Sequence, residues 1–134
     1  MSQASNQIVK SFICGADSLA TKQYHAVQMG ASDNAVIVAG AGAAEGAHVL
    51  GVLQNKPAVG EAAAVAIGGT SKLQMGATCD RGEKIKAIAG GTGTPAAADQ
   101  ESVIGIALES ATSATSIIEI LLTPGGHAQA NESD

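Results

Sequence analysis

The chain has 134 residues, a formal net charge of −5 at pH 7 and 46% hydrophobic residues, so its length predicts a single domain with enough aliphatic side chains for a core. Phe12 and Tyr24 are its only aromatic residues. Because sugar sites, base-stacking platforms and interface hot spots depend on aromatic side chains, this composition argues against a lectin and a single-strand nucleic-acid binder. The acidic charge argues against nucleic-acid partners in general, because phosphate contacts need clustered Lys and Arg.

No apolar stretch approaches the ~20 residues of a membrane helix, and positions 1–7 lack the basic start of a signal peptide. We therefore expect no membrane partner and synthesis in the cytoplasm. Cys14 and Cys79 are too few for a disulfide scaffold, and the sequence leaves open whether they are bridged.

Short apolar runs separated by turn signals follow one another along the chain. Residues 1–7 predict a flexible, extended N-terminal arm, and residues 125–134 predict a flexible polar C-terminal tail. A long Gly- and Ala-rich loop is expected to begin at 90–95. The predicted strands lie at residues 8–13, 24–29, 35–39, 49–54, 62–67, 71–75, 85–88, 103–109 and 117–123. No longer window keeps a helical period, so we predict a single all-β domain over 8–124, a small sandwich or barrel.

Two of these runs resemble each other closely. Val49–Gln54 and Val103–Glu109 each have a glycine at the third position and end on a polar residue. A shift of 54 residues lays Gly51 on Gly105. Since glycine weakens a strand interior, its place in both runs indicates a close approach of a neighbouring strand.

The match extends on both sides of these runs. The same shift lays Ala64–Ile67 on Ile118–Leu121, and upstream Gln28–Ser32 reappears as Gln74–Thr78. The matches keep their order along the chain. We therefore predict an internal pseudo-repeat, with copies at about residues 28–73 and 74–124.

A nucleotide-binding turn is the most specific alternative. The strand at 35–39 runs into the glycine-rich loop Gly40–Gly46, where backbone amides could approach a pyrophosphate. However, its third glycine comes one place too late for the dinucleotide motif, and Gly51 and Pro57 would break the helix that should follow. We interpret the segment as a hairpin loop and keep a nucleotide-binding domain as the less favoured alternative.

No residue pattern points to catalysis. His25, His48 and His127 are scattered, with no second metal ligand nearby. The chain lacks both the nucleophile-elbow and the P-loop motif. We predict that the protein is not an enzyme and has no catalytic residue, no cofactor and no metal.

The order of segments resembles the capsid cement (decoration) proteins of tailed bacteriophages. The resemblance rests on Cys79–Ile85, on Val103–Glu109 after a Gly- and Ala-rich loop, on Ile117–Leu122, and on the N-terminal segments Lys10–Phe12 and Gly30–Asp33. The chain departs from the family in the cysteine that opens the first segment, where a small hydroxyl residue is expected, and in its histidine-containing tail.

This resemblance implies a non-enzymatic structural protein of the virion. Such a protein, usually a homotrimer and in some cases a dimer, binds the outer surface of an expanded head. There it clamps neighbouring major capsid subunits and so stabilises the capsid. The family also implies synthesis in the cytoplasm of a host bacterium. A stand-alone ligand-binding β-sandwich is the alternative that the residues leave open.

The start of the chain supplies the candidate contact residues. An uncharged arm followed by an apolar run can be ordered on a partner by adding backbone hydrogen bonds to a strand edge, which needs no aromatic anchor. We therefore predict capsid or protomer contacts at Gln7, Ile8, Val9 and Phe12. A terminus without a partner is the alternative.

Overall fold

All the secondary structure that the computed structural model describes is β. The structure describes residues 7–16, 18–40, 49–88, 90–96 and 101–128, and no helix occurs among them, which confirms the all-β prediction. The strands are β1 (Ile8–Cys14), β2 (Ala26–Met29), β3 (Ala35–Val38), β4 (Val49–Leu53), β5 (Ala62–Gly68), β6 (Thr70–Gln74), β7 (Lys84–Ala87), β8 (Gly93–Pro95), β9 (Glu101–Ala107) and β10 (Ile117–Ala128).

Strands β1 to β5 form a closed barrel in the order β1-β3-β2-β4-β5. β1 and β3 run parallel, and the other neighbouring pairs are antiparallel. The barrel closes where β5 pairs with β1, from Ala62 opposite Ile13 to Gly68 opposite Ile8. Closure pairs both edges of the sheet, so this unit buries its interior without help from a second layer.

Strands β6 to β10 repeat this arrangement in the order β6-β10-β9-β7-β8. When β6 to β10 are equated in turn with β1 to β5, every antiparallel pair of the barrel has a counterpart. A parallel bridge between Met75 and Gly93 takes the place of the β1–β3 pairing. The predicted barrel-like arrangement with an internal repeat is therefore confirmed.

Gly51 and Gly105 occupy the same place in the two units. β2 faces Gly51 and β7 faces Gly105, and a β-bulge follows each pair. A Cβ atom at Gly51 would lie far inside van der Waals contact with the carbonyl oxygen of Ala66, and one at Gly105 would meet that of Leu121 in the same way. Glycine is required here because the adjacent backbone leaves no room for a side chain.

The two units defined by strand pairing begin at different residues from the two copies predicted from the sequence repeat. β1 belongs to the first unit and β6 to the second, so the units begin at Ile8 and Thr70 rather than near Gln28 and Gln74. The short motif that starts at Gln28 and recurs at Gln74 marks the ends of β2 and β6, which are not equivalent strands. It recurs because both segments leave a strand for a turn.

A one-residue offset separates the predicted and observed alignments of β5 with β10. The pairing of β5 with β4, and of β10 with β9, makes Val65 equivalent to Ile120 rather than to Glu119. The cause is loop length, because residues 54–61 join β4 to β5 whereas the longer segment 108–116 joins β9 to β10. A slip of one residue turns a strand over, so this offset decides which side chains face the core.

β8 falls in a segment whose composition predicts a loop. Its first residue, Gly93, packs so closely that an added Cβ would lie 2.7 to 3.0 Å from side-chain atoms of Leu73, Ile85 and Met75. Tertiary packing, rather than local strand propensity, therefore orders this strand.

β10 continues to Ala128, beyond the predicted end of the domain at residue 124. Its pairing with β9 shifts register between Leu122 and Gly126, on either side of Pro124. Because proline cannot donate to a ladder, the irregular stretch accommodates it, and the pairing then resumes.

Equivalent residues fill the interiors of the two units. The first interior contains Phe12, Cys14, Val27, Val36, Leu53, Ala63 and Val65. By strand register, their counterparts are Leu73, Met75, Ile85, Gly93, Ala107, Ile118 and Ile120. All of the aliphatic counterparts are buried. The repeat therefore extends from strand pairing to side-chain packing.

A row of small side chains joins the two units. Ala26, Val52 and Ala66 are register neighbours on β2, β4 and β5, and each is 0% exposed. They pack in the same cluster as Ile104 and Leu122 of the second unit. We term Ala26, Val52 and Ala66 the seam row, because through it the outer face of the first unit meets the second.

Tyr24 ties the two units together through its backbone. Its N–H donates to the carbonyl oxygen of Leu53 (2.7 Å), and its carbonyl oxygen accepts from the N–H of Gln74 (2.8 Å). Its φ of 67° lies in the left-handed region, which costs a non-glycine residue roughly 1 kcal/mol or more. Hydrogen bonds into both units hold it there, and the Lys72 ammonium lies 5.9 Å from the centre of its ring.

Candidate interaction surfaces

The described part of the chain has no group of three or more His, Cys, Asp or Glu side chains that could hold a metal ion. His25 is buried, with its Nδ1 3.0 Å from the carbonyl oxygen of Gln23. His48 lies outside the described residues, and His127 is described only as backbone of β10. The features left to examine are surfaces.

Both cysteines are free and buried. Burial raises the pKa of the Cys79 thiol; a backbone hydrogen bond with Ala111 opposes this, and the nearby carboxylates of Glu83 and Asp80 add to it. A thiol with a raised pKa holds its proton at neutral pH, which is the opposite of what a nucleophilic cysteine requires. The question left open by the sequence is thus answered, since Cys14 and Cys79 form no bridge.

The glycine-rich loop joins strands that are not neighbours. β2 lies between β3 and β4 in the barrel, so the two strands that this loop joins do not pair with each other and the predicted hairpin loop is wrong. The periodicity of the strands could not reveal this, because it does not state which strands pair. Gly40 has a φ of 78°, and its N–H donates to the side-chain oxygen of Gln28 (3.0 Å). The rest of the predicted loop, up to Gly46, lies outside the described residues.

Gln7, which the sequence places in the flexible arm, is attached to the junction of the two units. Its side-chain nitrogen donates to the carbonyl oxygen of Thr70 (2.9 Å) and to the side-chain oxygen of Gln54 (3.3 Å). Gln54 in turn donates to the Ser71 hydroxyl (2.8 Å). These bonds fix the start of β1 beside the start of β6. The rest of the predicted arm, residues 1–6, lies outside the described residues.

The other candidate contact residues separate into two groups. Ile8 and Val9 are exposed by 60% and 48%. Phe12 is buried inside the barrel, so it does not line the surface. Strand alternation explains the difference, because Phe12 and Cys14 face the interior while Ile13 faces outward. The surface residues at the start of β1 are therefore Gln7, Ile8 and Val9, which we term the N-terminal patch.

A depression of about 260 Å³ adjoins the N-terminal patch. Gln7 lines it together with Lys72 on β6, Glu119 on β10 and Glu109 from the loop between β9 and β10. Its walls combine charged groups with the aliphatic side chain of Ile117. This composition suits contact with a protein surface, since it offers both apolar area and polar partners.

A second apolar surface lies on the outer face of β9 and β10. Ile117 and Leu121 are exposed by 48% and 40%, and Leu108 by 44%. The sequence does not readily reveal this surface, because five of the six residues from Ile117 to Leu122 are aliphatic and would suit either face of the sheet. Glu119 was the available signal, because a charged residue two places from both Ile117 and Leu121 marks the side that faces solvent.

The described residues contain no helix that is long and apolar enough to cross a membrane. No protein-family model and no curated protein matches the chain.

A solved structure shares the fold along most of the chain. It is the crystal structure of the head fiber gp8.5 N base in bacteriophage phi29, with a TM-score of 0.63 and 16% sequence identity. The match covers 87% of this chain and 95% of that one. At this identity, the likeness is one of fold.

Proposed function

We propose that this chain is a structural protein of a tailed-bacteriophage head, a cement or decoration protein that binds the outer surface of the expanded capsid. The observation that carries the proposal is the fold shared with a head-fiber base over nearly the whole of both chains. The segments that resemble cement proteins favour the same assignment from the sequence, independently of the fold. In this role the protein is not an enzyme and needs no cofactor.

The proposed partners are the major capsid protein and further copies of the chain, arranged as a homotrimer. A surface poor in aromatic anchors attaches through many weak contacts, which symmetry multiplies into firm binding. An acidic body, with a net charge of −5, keeps the protein away from packaged nucleic acid. Such a clamp would be made in the host cytoplasm and would stabilise the head from outside.

The N-terminal patch is the proposed capsid contact. Gln7 is held on Thr70, so the exposed side chains of Ile8 and Val9 are presented from a fixed strand start rather than from a loose end. A preorganised apolar surface loses less conformational entropy on binding than a free terminus does. Residues that precede Gln7 would extend the contact along a strand edge of the partner.

Co-sedimentation with expanded heads tests the assignment. Heads of the phage that encodes the chain, produced without it, are mixed with the purified protein, and the bound amount and the temperature of head disruption are measured. We expect saturable binding at a fixed ratio to the capsid subunit and a higher disruption temperature. Heads that bind none of the folded protein at saturating concentration would exclude a cement role.

A pair of matched variants locates the contact. Val9→Asp should weaken head binding on the order of tenfold or more, because a carboxylate replaces apolar contact area. Val59→Asp is the control, since Val59 is 57% exposed in the turn between β4 and β5. Equal binding by the two variants would remove the N-terminal patch from the proposal.

A further inference from the structure

The repeat places a counterpart of the seam row on the second unit. In the first unit Ala26 pairs with Val52, and Val52 with Ala66. In the second unit the same register positions are occupied by Lys84 on β7, Ile106 on β9 and Leu121 on β10. We term these three residues the open row, because Lys84 is exposed, Leu121 is 40% exposed and Ile106 is half-buried.

Two elements of the second unit cover the seam row. One is the pair β9 and β10, which contributes Ile104 and Leu122 to the shared cluster. The other is the turn between β7 and β8, where the carbonyl oxygen of Gly91 accepts a hydrogen bond from the N–H of Ala26 (2.8 Å). A face of one unit thus meets a different face of the next. The contact between the two units is heterologous. It therefore leaves one face of each kind uncovered: the covering face of the first unit and the counterpart of the seam row on the second.

The first unit retains the counterpart of the covering turn. In the turn between β2 and β3, the N–H of Gly30 donates to the carbonyl oxygen of Ala35 (2.8 Å), as that of Ile88 does to Thr92 (2.9 Å). Asn34 precedes the acceptor residue Ala35, and Gly91 precedes the acceptor residue Thr92. Both Asn34 and Gly91 have left-handed φ angles, of 61° and 84°.

Charges on the two open faces are complementary. In the seam, the covering turn lies against Ala26, whose counterpart in the open row is Lys84. Asp33 precedes Asn34, which is the counterpart of Gly91 in the equivalent turn of the first unit, and both Asp33 and Lys84 are exposed. Repetition of the seam between two chains would therefore bring a lysine of one copy against an aspartate of the next.

A concave site beside the same turn provides room for an aliphatic group. This depression, about 310 Å³, is lined by Ile13 on β1, by Ala31 and Asp33 of the turn and by Ala35 on β3. Ile13 is 47% exposed there. The exposed Leu121 of an open row is the kind of side chain that such a site accepts.

From these observations we propose that the open row of one copy binds the β2–β3 turn of a second copy of this chain, head to tail, in a spaced repetition of the seam within each chain. Lys84 and Leu121 are larger than their seam counterparts Ala26 and Ala66, so the two chains stand further apart than the two units do. The inference deepens the self-association part of the proposed function by naming its surface. It is tested without heads, so its failure would leave head binding unaffected.

Charge reversal and exchange test the contact in the full chain. Sedimentation equilibrium over a range of concentrations gives the association constant of the parent, of Lys84→Glu, of Asp33→Lys and of the double variant. Each single reversal should weaken association on the order of tenfold, since like charges would face each other. The double variant should recover most of the loss, because it restores an opposite pair. Lys56→Glu, which reverses an exposed lysine in the β4–β5 turn, should leave association unchanged.

An apolar variant provides a second readout. Leu121→Asp should weaken association on the order of 30-fold, as expected for a central apolar contact, while the thermal midpoint of the monomer stays close to the parent because the side chain is partly exposed. A parent that stays monomeric at high concentration would overturn the proposal. It would also be overturned if Lys84→Glu behaved like Lys56→Glu, or if the double variant associated no better than the single ones.

Discussion

Replacement of Gly51 or Gly105 by alanine tests the equivalence of the two units. Glycine-to-alanine changes inside a strand ordinarily gain roughly 0.5–1 kcal/mol of stability. Here the added Cβ would collide with the carbonyl oxygen of Ala66 or Leu121, which belongs to a paired strand and cannot rotate away. Relief requires that β4 separate from β5, or β9 from β10. Overpacking costs ~1–3 kcal/mol and each lost ladder hydrogen bond ~1 kcal/mol, so we expect a loss of about 3 kcal/mol for each variant.

Urea unfolding followed by circular dichroism measures this loss. With a slope of ~1–3 kcal/mol per molar urea, a loss of about 3 kcal/mol lowers the midpoint by roughly 1–3 M. Gly68→Ala is the matched control, because its Cβ would meet the Cδ1 of the exposed Ile8 side chain at 3.2 Å, and that group can move. Its midpoint should stay within about 0.5 M of the parent. If Gly51→Ala and Gly105→Ala unfold at the parent midpoint, the close approach and the alignment built on it are refuted.

Further outcomes follow from the N-terminus and the thiols. Deletion of residues 2–6 should leave the thermal midpoint unchanged and lower head occupancy, whereas Gln7→Ala should cost about 1 kcal/mol of unfolding free energy through its lost hydrogen bonds; unchanged occupancy would make the segment a terminus without a partner. Because the folded pKa of Cys79 is raised, its contribution to stability is present below the ordinary thiol pKa of ~8.5 and is lost as the pH rises through the raised value. The urea midpoint of the parent should therefore fall between pH 8 and 10 more than that of Cys79→Ala, and parallel curves would contradict this. Double replacement of Cys14 and Cys79 by serine should leave head binding intact, which co-sedimentation checks.

The strands could be predicted from the sequence because period-two patterns and glycine turns are local signals. β8 could not, since Gly93–Pro95 has the composition of a loop and is ordered by packing on Leu73, Met75 and Ile85. The order of the strands was equally hidden, because nothing in the segment after β3 shows that β2 lies between β3 and β4. Pairing between distant segments is a property of the folded chain.

The predicted contact residues also separate into those whose position follows from local sequence and those whose position depends on the fold. Gln7 was assigned to an arm because it is polar, and its hydrogen bond to Thr70 joins positions that only the fold brings together. The sequence of Phe12 and its neighbours suits both the core and a contact, and in the structure Phe12 packs in the interior of the barrel. Ile8 and Val9 are exposed at the start of β1, where this strand pairs with the end of β5 at Gly68.

The seam row and the open row carry different residues at equivalent positions, and these differences determine how strongly each face associates. Alanine at positions 26 and 66 lets the backbones of the two units approach closely, and such a dry, close-packed contact cannot open without exposing apolar surface. Lysine and leucine at positions 84 and 121 leave a face that remains hydrated by its charge when it is alone. A contact made by this face combines a modest apolar area with one ion pair, so it weakens as salt screens the pair. In this proposal the same packing mode serves as a permanent joint within the chain and as a reversible one between chains. Because the contact is heterologous, a three-fold rotation between successive copies closes it into the ring that the proposed homotrimer requires.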